Sequence, residues 1–201
     1  MWLKTLAVAT AMAVMLTGAQ AAGIARKPKP VRAAKHSKEV RMSLQITSSS
    51  FGPRGEIPAL HTCDADDVSP ALAWSGAPAG TKSFALVVDD PDAPDPAAPK
   101  MTWVHWVLYD IPAKADSLAA AATAKTLPAG TLEGLNDWKQ PGYRGPCPPI
   151  GRHRYFHKLY ALDTVLPDLK RPNKAALEKA IEGHVLARAE LIGTYQRASK
   201  R

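Results

Sequence analysis

A chain of 201 residues with 46% apolar content has room for one domain with extensions and one sizeable core. Its formal charge is +8, but Lys4 supplies +1 and residues 22–41, with seven Lys or Arg against one Glu, supply +6, which leaves +1 for residues 42–201. A domain so close to neutral excludes a broad nucleic-acid footprint, so the basicity belongs to a tail.

In chain order, residues 1–21 read as a secretory signal peptide. MWLK gives a positive start, TLAVATAMAVML is an apolar run, and TGAQA places Ala19 and Ala21 at the two positions a signal peptidase reads. The run is too short for a comfortable transmembrane helix, so the expected location is periplasmic or secreted, with cleavage near Ala21. Residues 22–41 lack apolar periodicity and are expected to form a disordered basic linker. Its roles are solubility or weak contact with an anionic membrane surface.

The folded domain is expected over 42–201. MSLQIT (42–47) and PALAW (70–74) read as strands, the second followed by the turn SGAPAGT. KSFALVVDD (82–90) reads as a strand buried on both faces, and MTWVHWVLYDIP (101–112) as a longer one stopped by Pro112. The connection AKADSLAAAATAKTLPAGTLEGLNDW has no assignable period, and NDWKQPGYRGPCPPIG (136–151) reads as an irregular loop. HRYFHKLYALD (153–163) alternates in part. PNKAALEKAIEGHVLARA (172–189) reads as the one helix, with Pro172 in the first turn and Ala176, Leu177, Ala180, Ile181, His184 and Val185 as an apolar stripe. AELIGTY (189–195) reads as a closing strand. Several strands and one late helix define a mostly β fold, an antiparallel two-sheet β-sandwich with a helix in its C-terminal region. Cys63 and Cys147, an even count in an exported chain, read as one disulfide. It would close a loop of about 84 residues, worth roughly 4–5 kcal/mol in the chain-entropy model.

The chemistry-bearing residues cluster in three places. DDPDAPDP (89–96) puts four aspartates and three prolines directly after a buried strand, as either a decorated turn or a site. Period-2 alternation puts Trp103, His105, Val107 and Tyr109 on one face of the next strand, with Trp106 and Leu108 on the other. Taken alone, His105 reads as a hydrogen-bonded core histidine. The same rule puts His153, Tyr155 and His157 on one face of the later strand and Arg154 and Phe156 on the other. Together they read as an anion pocket: carboxylates orient imidazoles, a phenol stands beside them, and Arg154 neutralises one aspartate from behind. His184 reads as a core or helix-end residue; His36, His61 and His157 read as structural or solvent-facing. A two-His, one-carboxylate metal site from His105, His153 and an aspartate is the catalytic alternative, although HExxH, GxSxG and a serine nucleophile turn are missing from the sequence.

DPDAP, then WVHW, then GPCPPIGRHRY resemble the phosphatidylethanolamine-binding protein family, also called Raf kinase inhibitor-like. The resemblance covers roughly residues 43–196, and HTCDADDVSPALAWSGAPAGTKSFALVVDDPDAP resembles the bacterial branch throughout. It implies a β-sandwich with a small preformed pocket at one end that binds a phosphate-like anion or phospholipid headgroup, without catalysis and without a cofactor or metal. Carried onto this chain, the pocket comprises Asp90, Asp92, Trp103, His105, Pro148 as a wall, His153 and Tyr155. The family also implies the Cys63–Cys147 pairing, and inhibition of a protease or another extracytoplasmic protein through the pocket rim as the alternative function. Three departures stand out. The loop from Pro149 to His153 is shorter than in many members, the chain ends soon after LIGTY where the mammalian branch has a helix near the pocket, and Val104 stands where some bacterial members have Asp. In this picture His105 and His153 donate to the anion, Tyr155 adds a third bond, and binding strengthens below about pH 6.5 as the histidines charge.

Overall fold

The structure, a computed structural model, describes residues 43–198. The expected signal peptide at 1–21 and basic linker at 22–41 lie outside the described residues. Eight strands are described: β1 (Gln45–Thr47), β2 (Leu72–Ser75), β3 (Ser83–Ala93), β4 (Met101–Pro112), β5 (Ser117–Leu118), β6 (Leu132–Glu133), β7 (His153–Leu162) and β8 (Val185–Tyr195). One helix, α1 (Lys174–Ala180), precedes β8. β1, β2 and β5 form a three-stranded sheet, and the larger sheet has the order β6-β4-β3-β7-β8. The named strand pairs are antiparallel.

β3 and β4 are built from β-branched and aromatic residues, which suit a pleated surface packed on both sides. Phe84, Leu86, Val88, Trp106, Leu108 and Leu159 face the smaller sheet and meet Ile46, Leu72, Trp74 and Leu118. The opposite side carries Ala85, Val87, Val107, Tyr109 and Leu162, covered by Leu177 and Ile181. β3 is therefore buried on both faces as its continuous apolar run predicts. Each large side chain fully buried this way contributes about 1.5–3 kcal/mol of transfer free energy.

The helix is shorter than expected. Asn173 caps it by accepting from the Ala176 N–H at 2.9 Å, and Ile181 ends it. Gly183 then takes φ +81°, which few other residues adopt cheaply. From Val185 the chain is strand, paired with β7 from Leu162↔Val185 to His153↔Tyr195. A ten-pair ladder outweighs the modest helix propensity of Leu, Ala and Arg. The alternation that marks the strand is visible in the burial: Ala187 and Ala189 pack against the inner core, while Leu186, Arg188 and Glu190 are exposed. His184 thus belongs to the turn after the helix, not to its stripe, and its Nδ1 lies 2.8 Å from Asp163 Oδ1.

A second correction concerns β4. Val88 pairs with Trp106 but Asp89 pairs with Val104, so His105 is the extra residue of a β-bulge. The bulge breaks the alternation. Val107 and Tyr109 pack on the helix side together with Val104, whereas Trp103 and His105 open onto a cavity at the other side. His105 therefore does not share a face with Val107 and Tyr109.

Candidate functional site

The acid segment continues the strand: β3 runs through Asp89, Asp90, Pro91 and Asp92 to Ala93, with a cis Ala93–Pro94 bond beyond it. The three aspartates of this strand have separate partners. Asp89 is fully buried on the helix side, where its Oδ2 accepts from Lys158 Nζ at 2.8 Å and Lys174 Nζ at 2.6 Å. Asp90 turns to the opposite side. Its Oδ1 accepts from the Asp92 N–H at 2.8 Å, and its Oδ2 lies 2.7 Å from His153 Nδ1. Asp92 accepts from the Arg154 backbone N–H at 2.9 Å, Nε at 2.9 Å and Nη2 at 2.6 Å. These Arg154 bonds hold the Asp92 carboxyl below its usual range against the opposing effect of burial. Arg154 is the cation expected behind the aspartates.

His105 and His153 come from the starts of β4 and β7, which the antiparallel order brings beside the end of β3. His105 Nδ1–H donates to the Arg144 carbonyl at 2.6 Å. Burial lowers its pKa, and the Arg144 carbonyl and the charges of Asp90, Asp67 and Asp89 offset only part of that. The ring is therefore neutral at pH 7, with Nε2 left as a lone pair. Both nitrogens of His153 are engaged: Nε2–H donates to the Ile150 carbonyl at 2.9 Å, and Nδ1 is hydrogen-bonded to Asp90 Oδ2 at 2.7 Å.

These side chains meet at a cavity of about 320 Å³ lined by Asp90, Trp103, His105, Pro148 and His153, all expected from sequence. Asp92 and Tyr155 do not line it. Asp92 is turned toward Arg154, and Tyr155 lies in the inner core behind the histidines, its ring 5.2 Å from that of His105. Burial pushes the Tyr155 phenol well up, and its hydroxyl has no hydrogen-bond partner among the described residues. The remaining lining is Ala93, Pro94, Met101, Trp138, Cys147 and Pro149, which sequence reasoning missed. Of these, Trp138 had a signal, as the one tryptophan in a loop otherwise rich in Gly and Pro. Its ring meets Trp103 edge-on at 5.4 Å and His105 at 5.2 Å.

The loop that carries Trp138 is irregular but well anchored. Asn136 Oδ1 accepts from the N–H groups of Trp138 and Gln140, and Asp137 Oδ2 accepts from the Val104 N–H at 2.8 Å. Farther along, Tyr143 donates to the His61 carbonyl at 2.9 Å, and the Gly145 N–H donates to Asp67 Oδ1 at 2.6 Å. A Cβ on Gly145 would fall on the His61 carbonyl, so only glycine fits. The Cys63–Cys147 disulfide ties the same two segments and brings Cys147 to the cavity wall. His61 is buried and structural, bonded to the Val68 carbonyl and Ser50 Oγ.

Larger concavities of about 480 Å³ by Tyr109 and Asp168 and about 520 Å³ by Tyr160 and Arg188 gather none of the expected site residues. Among the described residues, no group of three or more His, Cys, Asp or Glu side chains is arranged to hold a metal ion. In the two-His, one-carboxylate alternative, His153 would have to give up its bond to Ile150 or to Asp90 before it could ligate.

Fold and site together define a two-sheet β-sandwich with a helix on its outer face and a small pocket at one end of the larger sheet. The family model described as phosphatidylethanolamine-binding protein matches residues 47–196. A protein of Methanothermobacter thermautotrophicus called UPF0098 protein is 46% identical over 155 residues, 77% of this chain and 99% of the relative. A solved structure of a putative phosphatidylethanolamine-binding protein homolog from Chlamydia trachomatis is 37% identical, covering 78% of this chain and 99% of the other, with TM-score 0.72. Escherichia coli YbcL, described as a new member of the mammalian PEBP family, is 32% identical over 78% of this chain and 99% of its own, with TM-score 0.71. The chain belongs to the phosphatidylethanolamine-binding protein family.

Proposed function

We propose that the chain is an exported, non-catalytic protein that binds a small phosphate-like anion, free or as a phospholipid headgroup, in the pocket between Asp90, His105 and His153. The observation that carries this reading is convergence. Three strands deliver these groups to the floor of one cavity whose walls are aromatic, proline and methionine side chains. A small apolar cavity with a few placed polar groups is the usual composition of a ligand site. In that setting each hydrogen bond is stronger than in water. The Ile150 carbonyl that now holds His153 Nε2–H belongs to an exposed loop residue, so a ligand oxygen can take its place. The test is calorimetric titration with phosphate and phosphoethanolamine, wild type beside His105→Ala and His153→Ala. Binding by wild type that both variants lose supports the reading; no binding by folded wild type at pH 6 removes it.

A second reading has its own observation. Met101 and Ile150, at the cavity mouth and on the adjacent loop, are 51% and 56% exposed, an apolar rim suited to a protein partner such as a protease. A complex that survives gel filtration and is lost on Met101→Asp or Ile150→Asp, but not on His105→Ala, would favour this function over the first.

A further inference from the structure

We propose that the pocket takes its oxyanion in a protonated form, so that the ligand itself supplies the hydrogen that bridges it to His105. This inference rests on the anion-binding reading above and narrows it to a ligand class.

The argument starts from the count of donors and acceptors on the cavity floor. His105 has committed its only N–H, because Nδ1 donates to the Arg144 carbonyl at 2.6 Å. The nitrogen left for a ligand, Nε2, is an acceptor. The other polar groups of the floor are the Asp90 carboxylate, also an acceptor, and His153, whose two nitrogens serve Asp90 and Ile150. None of the described lining residues is a lysine or arginine. The floor therefore offers lone pairs at His105 Nε2 and Asp90, and one N–H, that of His153 Nε2, where a ligand oxygen replaces the Ile150 carbonyl.

The groups facing His105 come from every element packed around it. Asp90 lies on β3, with the charge of Asp89 acting from that strand's other face; His153, Tyr155 and His157 lie on β7, and Asp67, Trp138 and Arg144 in the loops. The three carboxylates favour a charged ring, but burial outweighs them.

An oxygen carrying hydrogen can donate O–H to Nε2. An oxygen without hydrogen meets lone pair against lone pair, unless His105 first takes a proton from solvent, which its burial opposes. Wherever that proton sits in the complex, the complex holds one more than the fully ionised ligand and the free protein together. Phosphate monoesters have their second pKa near about 6 and so keep a proton available around neutrality. Sulfate and phosphodiesters carry none there. The ligand class is thus inorganic phosphate and phosphate monoesters, in preference to sulfate and diester headgroups.

The test titrates the full chain by calorimetry at pH 7 with inorganic phosphate, methyl phosphate, sulfate and dimethyl phosphate. Phosphate and methyl phosphate should bind. Sulfate and dimethyl phosphate should bind about tenfold more weakly or less, the cost of one unmade charged hydrogen bond. At pH 8, where the monoester dianion carries no hydrogen, repeating the methyl phosphate titration in two buffers of different ionisation enthalpy should show proton uptake on binding. His105→Gln, whose amide can present an N–H, should narrow the gap between phosphate and sulfate. Sulfate or dimethyl phosphate within about twofold of phosphate, or methyl phosphate binding without proton uptake at pH 8, overturns the inference while leaving the anion site standing. Failure of all four to bind between pH 5 and 8 removes the anion site itself, and the inference with it. Adding short-chain phosphatidate separates the sources of the monoester: tighter binding than methyl phosphate assigns a lipid headgroup, and equal binding assigns a free phosphate ester.

Discussion

His157 should make the domain acid-sensitive. It is 1% exposed on the inner side of β7, its ring 5.3 Å from Phe51, with Leu191 opposite on β8 and Val88 opposite on β3. Neither ring nitrogen has a hydrogen-bond partner among the described residues. Burial pushes its pKa down from 6.5 to about 4, and the Tyr155 and Leu191 carbonyls offset only part of this. The unfolded chain therefore binds a proton that the folded one refuses. The loss begins as pH falls below the unfolded value of 6.5 and is complete below about 4. Over that window it amounts to about 3 kcal/mol, at about 1.4 kcal/mol per unit, and by pH 5 about 2 kcal/mol is gone. His157→Leu removes the titration and the two unpaired nitrogens, each of which costs about 1–3 kcal/mol when buried. The variant should be more stable at pH 7.5, and between pH 7.5 and 5.0 it should lose about 2 kcal/mol less than wild type. Urea unfolding at the two pH values measures both quantities. An equal fall in the two proteins would refute the reasoning, because it would mean that His157 gains a partner for its proton in the fold.

Three further outcomes follow from the same structure. Replacing Cys63 and Cys147 by serine opens a loop spanning 84 positions and should cost about 4–5 kcal/mol in urea unfolding if chain entropy governs the bond. Arg154→Ala leaves the buried Asp92 carboxylate with one backbone N–H of its three Arg154 bonds; with half of the Arg154 side chain in solvent, the cost should be about 1–2 kcal/mol at pH 7. Because the folded pKa of Asp92 is depressed, that difference should be present above pH 3.8 and vanish as pH falls through the folded value, as unfolding curves down to pH 2.5 would show. Trp138→Ala removes a cavity wall from a half-buried loop position, so phosphate affinity should fall about tenfold while the unfolding midpoint barely moves.

The fold was legible where periodicity is strong. β4 has the bounds that its Trp-, Val- and Tyr-rich run predicts, and β7 ends one residue early at Leu162. The helix was overextended because Ala, Leu, Glu and Lys at 176–189 satisfy helix propensity throughout; only pairing with β7 decides that Val185 onward is strand. β5 and β6 are two residues each and owe their existence to β2 and β4, so nothing local announces them. In the site, residue types were legible and their directions were not. Alternation gave His153 and Tyr155 the correct face, since β7 is regular from Ala161 back to His153. It gave His105 the wrong companions, since a bulge depends on the register of a partner strand. Trp138 reaches the cavity through loop geometry set by Asn136 and Asp137, Pro94 through the cis bond after β3, and Met101 through its pairing with Ala93, none of which a single segment encodes.

The crowding of aspartates at 89–92 has a physical explanation in the strand that carries them. Three carboxylates within four residues would repel one another and shift toward protonation if left together. Alternation along β3 sends Asp89 and Asp90 to opposite faces, and the register shift between Asp90 and Ala93 lets Asp92 turn away from Asp90. Asp89 meets two lysines on the helix side, Asp92 meets Arg154, and Asp90 alone meets the cavity. Neighbours in sequence should therefore do different work. Asp89→Asn leaves Lys158 and Lys174, each mostly buried, without their carboxylate. It should destabilise by about 3 kcal/mol, the low end for breaking a buried pair, because both ammonium groups still reach water. Phosphate affinity should stay within about twofold, as Asp89 does not line the cavity. Asp90→Asn should do the reverse, costing less stability but abolishing phosphate binding, because one amide oxygen cannot both accept from the Asp92 N–H and fix the His153 ring. Parallel unfolding and calorimetry on the two variants decide it. If Asp89→Asn weakened binding as much as Asp90→Asn, the two faces of β3 would be acting as one site, and the division of labour drawn from them would be wrong.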